Sequence, residues 1–464
     1  MYFIENKTFD EIKVGDSASL TRALRQDDIT LFALLSGDVN PAHVDAEYAK
    51  TDLFQHIVAH GMWGGALISA VLGTELPGPG TIYLSQSLRF RHPVAIGDKI
   101  VVRVTVREKQ PAKHGLVLDC ECRNQADKVV IEGVAEVLAP TEKVKRPRTV
   151  LPEIHLYAQG ERHRQLILAA NAFAPIRMAV VHPCDAVALG GALDARDAKL
   201  IVPVLVGPTA KIRKAAEELG RSIDEIEIVD APHSHAAAEK AVELARTGKV
   251  DALMKGALHT DEIMSAVVAR DSGLRTERRM SHVFVLDVPS YPKPLFVTDA
   301  AINITPTLED KRDIILNAID LCHALGVATP KIAVLSAVET VDPKIASTLD
   351  AAALCKMADR GQIQGGVIDG PLAFDNAISK SAAEEKHIQS QVAGDADVLL
   401  VPDLEAGNIL AKQLIYLAGA EAAGIVLGAR VPIVLTSRAD SKAARVASCA
   451  VATLLVQYRQ GLRP

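Results

Sequence analysis

The chain has 464 residues, of which 49% are hydrophobic and 23% charged, and its 30 Gly and 23 Pro are scattered along it. That composition excludes collagen-like, low-complexity and disordered proteins and leaves material for roughly two to four packed domains. Lys and Arg number 51 against 57 Asp and Glu, a net charge of -6, so no global positive field exists to hold nucleic acid and an anionic ligand needs a local pocket.

From the amino end, MYFIENKTFDEIKVGD carries Glu5, Asp10 and Glu11 where a secretory signal needs a basic end and an apolar run, so none is expected. In LLSGDVNPAHVDAEYAK, Asn40 is held extended by Pro41, and Pro41 can open a helix. Asp38 and His43 thus flank a stiff corner. Such a turn can aim both side chains at one water, the imidazole holding a proton and the carboxylate accepting one, which suits general acid–base work near neutrality. A helix cap or an Asx turn for Asp38, and an ordinary partly exposed side chain for His43, are the competing readings. MWGGALISAVLGTEL, after His60 and Gly61, is apolar all round and rich in small residues, as expected of a buried helix. Gly61 at its start would present a free backbone N–H and the positive end of the helix dipole, a candidate oxyanion hole. Trp63, the single Trp, is expected to pack.

Residues 81–138 hold alternating apolar runs such as KIVVRVTVRE, GLVLDCECRN and KVVIEGVAEVLA, which predict an antiparallel sheet curved around that one helix. Cys120 and Cys122 fall on one strand face and are read as core. With Cys184, Cys322, Cys355 and Cys449 they form no CxxC pair, so neither disulfides nor zinc is indicated and a reducing cytoplasm is the expected setting. At APTEKVKRPRTVLPE, prolines bracket a basic run without apolar periodicity, which reads as a linker. The predicted division is 1–140, a linker over 141–155, and 156–464.

Beyond the linker, short β-rich runs alternate with helical stretches, PVLVG before AKIRKAAEELG and VDALMKG before DEIMSAVVARD, which predicts an α/β domain with a mainly parallel sheet, in two subdomains. The runs VDALMKG, PLFVTDA, AVLSAVE, GGVIDGP, VLLVPDLEAGN and PIVLTSRAD each end in polar groups, where open parallel sheets place ligands. Neither GxxxxGK[ST] nor GxGxxG occurs, which argues against a nucleotide triphosphatase and an NAD-dependent dehydrogenase. LIYLAGAEAAGIVLGARVPIVL is interrupted by Glu421, Arg430 and Pro432, a poor membrane span.

GDVNPAHVD, VAHGM and SLRFRHPVAIGD, in that order and spacing, resemble the MaoC-like hot-dog family of R-specific enoyl-CoA hydratases over about residues 9 to 138. The resemblance implies that Asp38 and His43 activate water for addition to a trans-2-enoyl thioester. It also implies that Asn40 supports the pair, that the Gly61 N–H polarises the thioester carbonyl, and that Ser69 lines the acyl site, although a Ser in an apolar helix often bonds back to the preceding turn. Arg89, Arg91 and His92 fit either CoA phosphates or an exposed sheet edge.

The blocks VDALMKGALHTDEIM, RRMSHVFVLDVP, LFVTDAAINITP, PKIAVLSAVE, GGVIDGPLAFDNAIS, AGDADVLLVPDLEAGNILAKQL and PIVLTSRAD resemble the phosphate acetyl/butyryltransferase family, nearer its butyryl branch, over about residues 160 to 460. The resemblance implies reversible acyl transfer between CoA sulfur and inorganic phosphate, with Ser437 and Arg438 contacting the reacting group. The acetyltransferase branch has its base seven residues after that Ser, where this chain has Ala444; Asp440, three residues on, is the candidate base, with capping of the final helix as its competing role. Lys255, Thr298, Asp299, Asn303, Asp403, Asn408 and Lys412 are the candidate substrate-binding residues, against surface or capping roles for Lys255, Asp403 and their neighbours. His282 is expected to be a satisfied structural side chain.

The joint expectation is a bifunctional enzyme of CoA thioesters and phosphate. It needs no metal or bound cofactor, has no nucleic-acid or membrane partner, and forms a homo-oligomer because a curved sheet has edges to cover. The alternative keeps the hydratase and makes the carboxyl half a non-catalytic acyl-CoA sensor or oligomerisation module.

Overall fold

The computed structural model describes residues 3–149, 156, 160–270, 273–435 and 440–462. They divide between two units, Met1–Leu156 and Tyr157–Pro464. In the first, five antiparallel strands pair in the order Ser17–Ala23, Lys99–Gln110, Gly115–Arg123, Val129–Leu138 and Ile82–Phe90. The alternation in KIVVRVTVRE places Ile100, Val102, Val104 and Val106 inside, because successive side chains of a strand face opposite ways. The helix Gly61–Thr74 buries Trp63, Gly64, Leu67, Ile68, Val71 and Leu72 in the same core. Its circumference is not wholly covered, however. Met62 is 56% exposed, and Ala66 and Ser69 continue an open stripe beside Tyr83 and Leu84 of the edge strand. An all-apolar pattern shows that a helix can be buried, and the number of strands available decides how much of it is.

The stretch read as a linker is ordered at its start. Lys145–Pro147 pairs with Phe3–Glu5, and the buried Asn6 side chain donates to the carbonyls of Pro79 and Glu142 at 3.0 and 2.8 Å while accepting the Val144 N–H at 2.9 Å. Prolines and charges masked this pairing in the sequence.

In the second unit a single sheet of eleven strands has two parallel blocks. One runs Glu227–Asp230, Ile201–Gly207, Ile176–Val181, Ala252–Lys255, Ile433–Val434; the other Leu295–Thr298, Val398–Leu400, Lys331–Leu335, Val367–Leu372. Between them Glu421–Leu427 and Ser281–Asp287 pair antiparallel to every neighbour. The expected subdivision thus takes the form of two blocks within one sheet. Three successive antiparallel pairings reverse the sense of the second block, so the carboxyl ends of the two blocks lie at opposite edges of the sheet. The final helix, Lys442–Arg459, packs on the first block, where Gln457 Nε2 donates to the Ala174 carbonyl and Thr453 Oγ1 to that of Leu200. Among the described residues, no helix is long and apolar enough to cross a membrane.

His282, on a central strand, is 2% exposed and meets Phe284 edge-on at 4.4 Å between ring centres. Its Nδ1 has no hydrogen-bond partner among the described residues, so the expectation of a satisfied side chain fails. Burial pushes its pKa down to about 4. His163, buried beside Glu421, moves in the same direction because desolvation outweighs the carboxylate. A histidine whose folded pKa is depressed costs nothing above its unfolded value near 6.5, and it destabilises the fold as pH falls through that value toward the folded one. Since Trp63 lies in the first unit, its fluorescence reports that unit alone, whereas circular dichroism sees both. Between pH 7 and 4 the dichroism transition is expected to lose stability by roughly 3 kcal/mol through His282 alone. His282→Leu should remove that share without altering the Trp63 transition.

Candidate functional site

The helix Gln26–Ser36 ends at Ser36, whose Oγ accepts the Asp38 N–H at 3.2 Å. Asp38 Oδ1 in turn accepts the Asn40 N–H at 3.2 Å, and Asn40 caps the short helix Pro41–Val44 by accepting from Ala42 N. The turn roles weighed for this corner are therefore present, yet they engage only one oxygen of the exposed Asp38 carboxylate. His43, half-buried, directs Nδ1 to the Val58 carbonyl at 2.8 Å. A carbonyl can only accept, so the neutral ring carries its proton on Nδ1 and leaves a lone pair on Nε2. The imidazole is thus arranged to take a proton, where the sequence suggested that it would hold one.

His43 and Gly61 line one cavity of about 340 Å³ together with His60, Trp63, Phe90 and Val130. Gly61 is the first residue of its helix, so its N–H has no partner within the helix, and no side chain caps that end. A Cβ here would stand 2.9 Å from the exposed Phe90 ring, which would have to turn aside. Ser69 lies elsewhere, in a separate cavity with Met62, Tyr83 and Leu84. Arg91 and His92 reach the rim of the first cavity, where Arg91 pairs with Glu132.

Sequence reasoning passed over His60, the residue before Gly61 in the VAHGM segment. Its ring lies 4.0 Å from that of His43, and Asp38, His43 and His60 bring ligand-type atoms within 4.8 Å of one another. His43 Nδ1 is held by the Val58 carbonyl and His60 Nε2 by the Asp38 carbonyl, so each neutral ring keeps its other nitrogen as an acceptor.

In the second unit the predicted residues separate. Lys255 ends a strand of the first block beside Ile433–Val434, from which the chain leads to Ser437 and Arg438. Both of those lie outside the described residues. Asp440 is half-buried, and the final helix is capped by Ser441, whose Oγ accepts from Ala444 N at 3.1 Å, so the competing role weighed for Asp440 belongs to its neighbour.

Thr298, Asp299, Asn303, Asp403 and Asn408 gather at the other edge. Thr298 Oγ1 donates to the His282 carbonyl at 2.8 Å. The buried Asp299 carboxylate accepts the N–H groups of Ala301, Ile302 and Asn303 and one hydrogen of the Asn303 amide; burial nevertheless raises its pKa. Asn303 also donates to the Met280 carbonyl at 2.8 Å and accepts Arg279 Nε at 2.6 Å. Asp403 caps the helix Leu404–Tyr416, and Asn408 Nδ2 donates to the Ala300 carbonyl at 3.2 Å. In the same helix, a Cβ on Gly407 would stand 2.8 Å from the Asp299 carbonyl oxygen, so glycine lets the helix seat on this turn. Lys412 is exposed on that helix.

These polar atoms are engaged within the chain and do not themselves line the nearby cavity of about 760 Å³, whose walls include Arg275, Arg279, Arg312, Ile302, Glu309 and Asp310. Arg279 is what Asn303 holds in place. The run LRTERRMSH, three arginines immediately before a buried strand, was the signal available for it.

The first unit is a sheet wrapped on a helix with acceptors near the helix start, and the second a mixed α/β sheet with polar side chains at its strand ends, an architecture of two ligand-binding modules in one chain. Residues 234–453 match the family model described as "Phosphate acetyl/butaryl transferase", and residues 10–120 match that of the "MaoC like domain". The chain is 61% identical over 303 residues to a phosphate acetyltransferase from Rhizobium meliloti, spanning 65% of this chain and 96% of that one. The chain therefore belongs to the phosphate acetyl/butyryltransferase family and carries a MaoC-like domain at its amino end. A branched-chain phosphotransacylase from Enterococcus faecalis V583 aligns at 29% identity and TM-score 0.54 over 61% of this chain and 99% of that one. The R-hydratase PhaJ1 from Pseudomonas aeruginosa is 46% identical, covering 33% of this chain and 99% of that one, with TM-score 0.33. At 61% identity to an enzyme named for acetyl transfer, the leaning toward the butyryl branch finds no ground.

Removing the Asn303 side chain strips partners from Asp299, Arg279 and the Met280 carbonyl at once. Asn303→Ala is expected to destabilise the second unit by roughly 2–4 kcal/mol in denaturant titrations followed by circular dichroism. Lys412→Ala, an exposed change, should stay within about 0.5 kcal/mol of wild type.

Proposed function

We propose that the chain hydrates short trans-2-enoyl-CoA thioesters to (R)-3-hydroxyacyl-CoA at its amino end and exchanges short acyl groups between CoA and inorganic phosphate at its carboxyl end. The observation that carries the first activity is the pairing of an open His43 Nε2 and a half-engaged Asp38 carboxylate with the uncapped start of a helix at Gly61. Water keeps one hydrogen, hydrogen-bonded to the Asp38 carboxylate, and gives its other proton to His43 Nε2 as its oxygen adds to C3 of the enoyl chain, where the retained hydrogen becomes that of the 3-hydroxyl. Negative charge developing on the thioester oxygen is met by the Gly61 N–H. His43 then returns its proton to C2, so one water is consumed and both side chains regain their starting forms.

Family membership supports the second activity. A phosphate oxygen attacks the thioester carbonyl, the tetrahedral intermediate expels CoA sulfur, and the proton passes to the thiol. Ser437 and Arg438 are assigned to the reacting group and Asp440 to the thiol proton, following the family pattern. Lys255, at the same edge, suits neutralisation of phosphate. Neither activity calls for a bound cofactor or metal. Six unpaired cysteines suit a reducing cytoplasm. The open stripe of Met62 and Ala66 beside Tyr83 and Leu84 supports a homo-oligomer, which sedimentation would reveal.

With full-length protein, phosphate-dependent release of CoA from acetyl- or butyryl-CoA should fall at least ~100-fold in Ser437→Ala while crotonyl-CoA hydration is kept. Asp38→Asn should do the reverse, lowering hydration roughly 100- to 10,000-fold. Binding of CoA without phosphate-dependent release from any short acyl-CoA would make the carboxyl half a sensor.

A further inference from the structure

His60 is 3% exposed and occupies the capping position of the helix Gly61–Thr74 without capping it. A histidine there can accept a helix N–H through Nδ1, as His233 does from Ala236 N at 3.2 Å elsewhere in the chain. His60 instead directs Nε2 to the main-chain carbonyl of Asp38, 3.0 Å away and 22 residues earlier. Because a carbonyl only accepts, Nε2 is the protonated nitrogen and Nδ1 bears the lone pair. That Nδ1 is buried and has no partner among the described residues. The ring is held between Phe32, 5.0 Å away with a 36° tilt, and His43, 4.0 Å away with a 34° tilt. Burying an acceptor unpaired costs stability. Nothing in the packing of the helix itself requires a polar side chain at this position.

We infer that His60 is a positioning residue of the hydration site, an inference that rests on the hydratase reading given above. Its Nε2–H ties the Asp38 turn to the residue that begins the Gly61 helix, and its ring forms a wall against which His43 lies. The segment bearing Asp38 and His43 meets the one leading to Gly61 through the Val58 N–H to the Ala42 carbonyl at 3.4 Å, His43 Nδ1 to the Val58 carbonyl at 2.8 Å and His60 Nε2 to the Asp38 carbonyl at 3.0 Å. The His60 bond is the one that adjoins the helix start, and so it sets the distance between the Asp38 turn and the Gly61 N–H. Displacement by about 1 Å at such a joint is enough to lose ~100-fold in rate. Binding of the thioester, which depends on the remaining cavity walls, should change little.

The test is steady-state hydration of crotonyl-CoA by the full-length protein and three variants. The amide nitrogen of Gln reaches the place of Nε2, that of Asn only the place of Nδ1, and Phe keeps a ring with no donor. His60→Gln is expected to stay within about fivefold of wild-type kcat, while His60→Asn and His60→Phe each fall ~100-fold with KM within about threefold. The Trp63 fluorescence transition confirms that the first unit is folded in each variant. Phosphate-dependent CoA release stays unchanged. Wild-type kcat in His60→Phe, a loss in His60→Gln as deep as in His60→Asn, or a change confined to KM would each overturn the inference. A wild-type protein that does not hydrate crotonyl-CoA or longer enoyl-CoA would overturn the hydratase reading and this inference together, whereas an active wild type with insensitive variants removes the inference alone.

Discussion

A helix packed into a sheet carries its first N–H groups into the protein with no partners of its own, and the amino-terminal unit is arranged around that obligation. The Phe90 ring, at the end of the strand Ile82–Phe90, lies close over the helix start, within 2.9 Å of where a Cβ on Gly61 would stand. The neighbouring side chain, His60, turns away to the Asp38 carbonyl, so the end of the helix has no side-chain cap where Gly61 meets the cavity wall. The Asn40–Pro41 corner then places carboxylate and imidazole acceptors beside it. Donors on one wall and acceptors on the other are what an addition across a polarised double bond requires.

The second unit follows a different constraint. Its two parallel blocks are joined through strands that run against both neighbours, and the reversal places their carboxyl ends at opposite edges. Lys255 and the segment leading to Ser437 belong to one edge; Thr298, Asp299, Asn303 and Asp403 belong to the other. At the second edge the polar side chains satisfy one another and the backbone. Their effect on the cavity is exerted through Arg279, which Asn303 orients.

The sequence conveyed much of this through periodicity and turn chemistry. Alternation fixed which faces of Lys99–Gln110 and Gly115–Arg123 are buried, the proline corner located Asp38 and His43, and the Gly at the start of an apolar helix located the donor. It did not convey strand direction, because an apolar run reads alike whichever way its neighbour runs; hence the expectation of one edge where there are two. His60 and Arg279 escaped notice for a related reason. Their roles depend on partners 22 and 24 residues distant, Asp38 and Asn303, and no local pattern encodes such a meeting. His282 was misjudged because burial is legible in an apolar strand, whereas the satisfaction of a ring nitrogen is decided by whichever atoms happen to face it. Pro147 shows the opposite limit: a residue that looks like a break ends a paired edge strand.

The path of the chain through the two sheets also governs how each can be completed during synthesis. The first unit uses contiguous sequence, and its last pairing, Lys145–Pro147 with Phe3–Glu5, closes it before any strand of the second unit has been made. In the second unit, Ala252–Lys255 receives its second neighbour only when Ile433–Val434 arrives, and the helix Lys442–Arg459 that covers this block is later still. At ribosomal rates of roughly 5–20 residues per second, that is a wait of roughly 10–40 s for about 180 residues. For that interval an apolar strand edge stands open. The nascent chain is most in need of chaperone protection there.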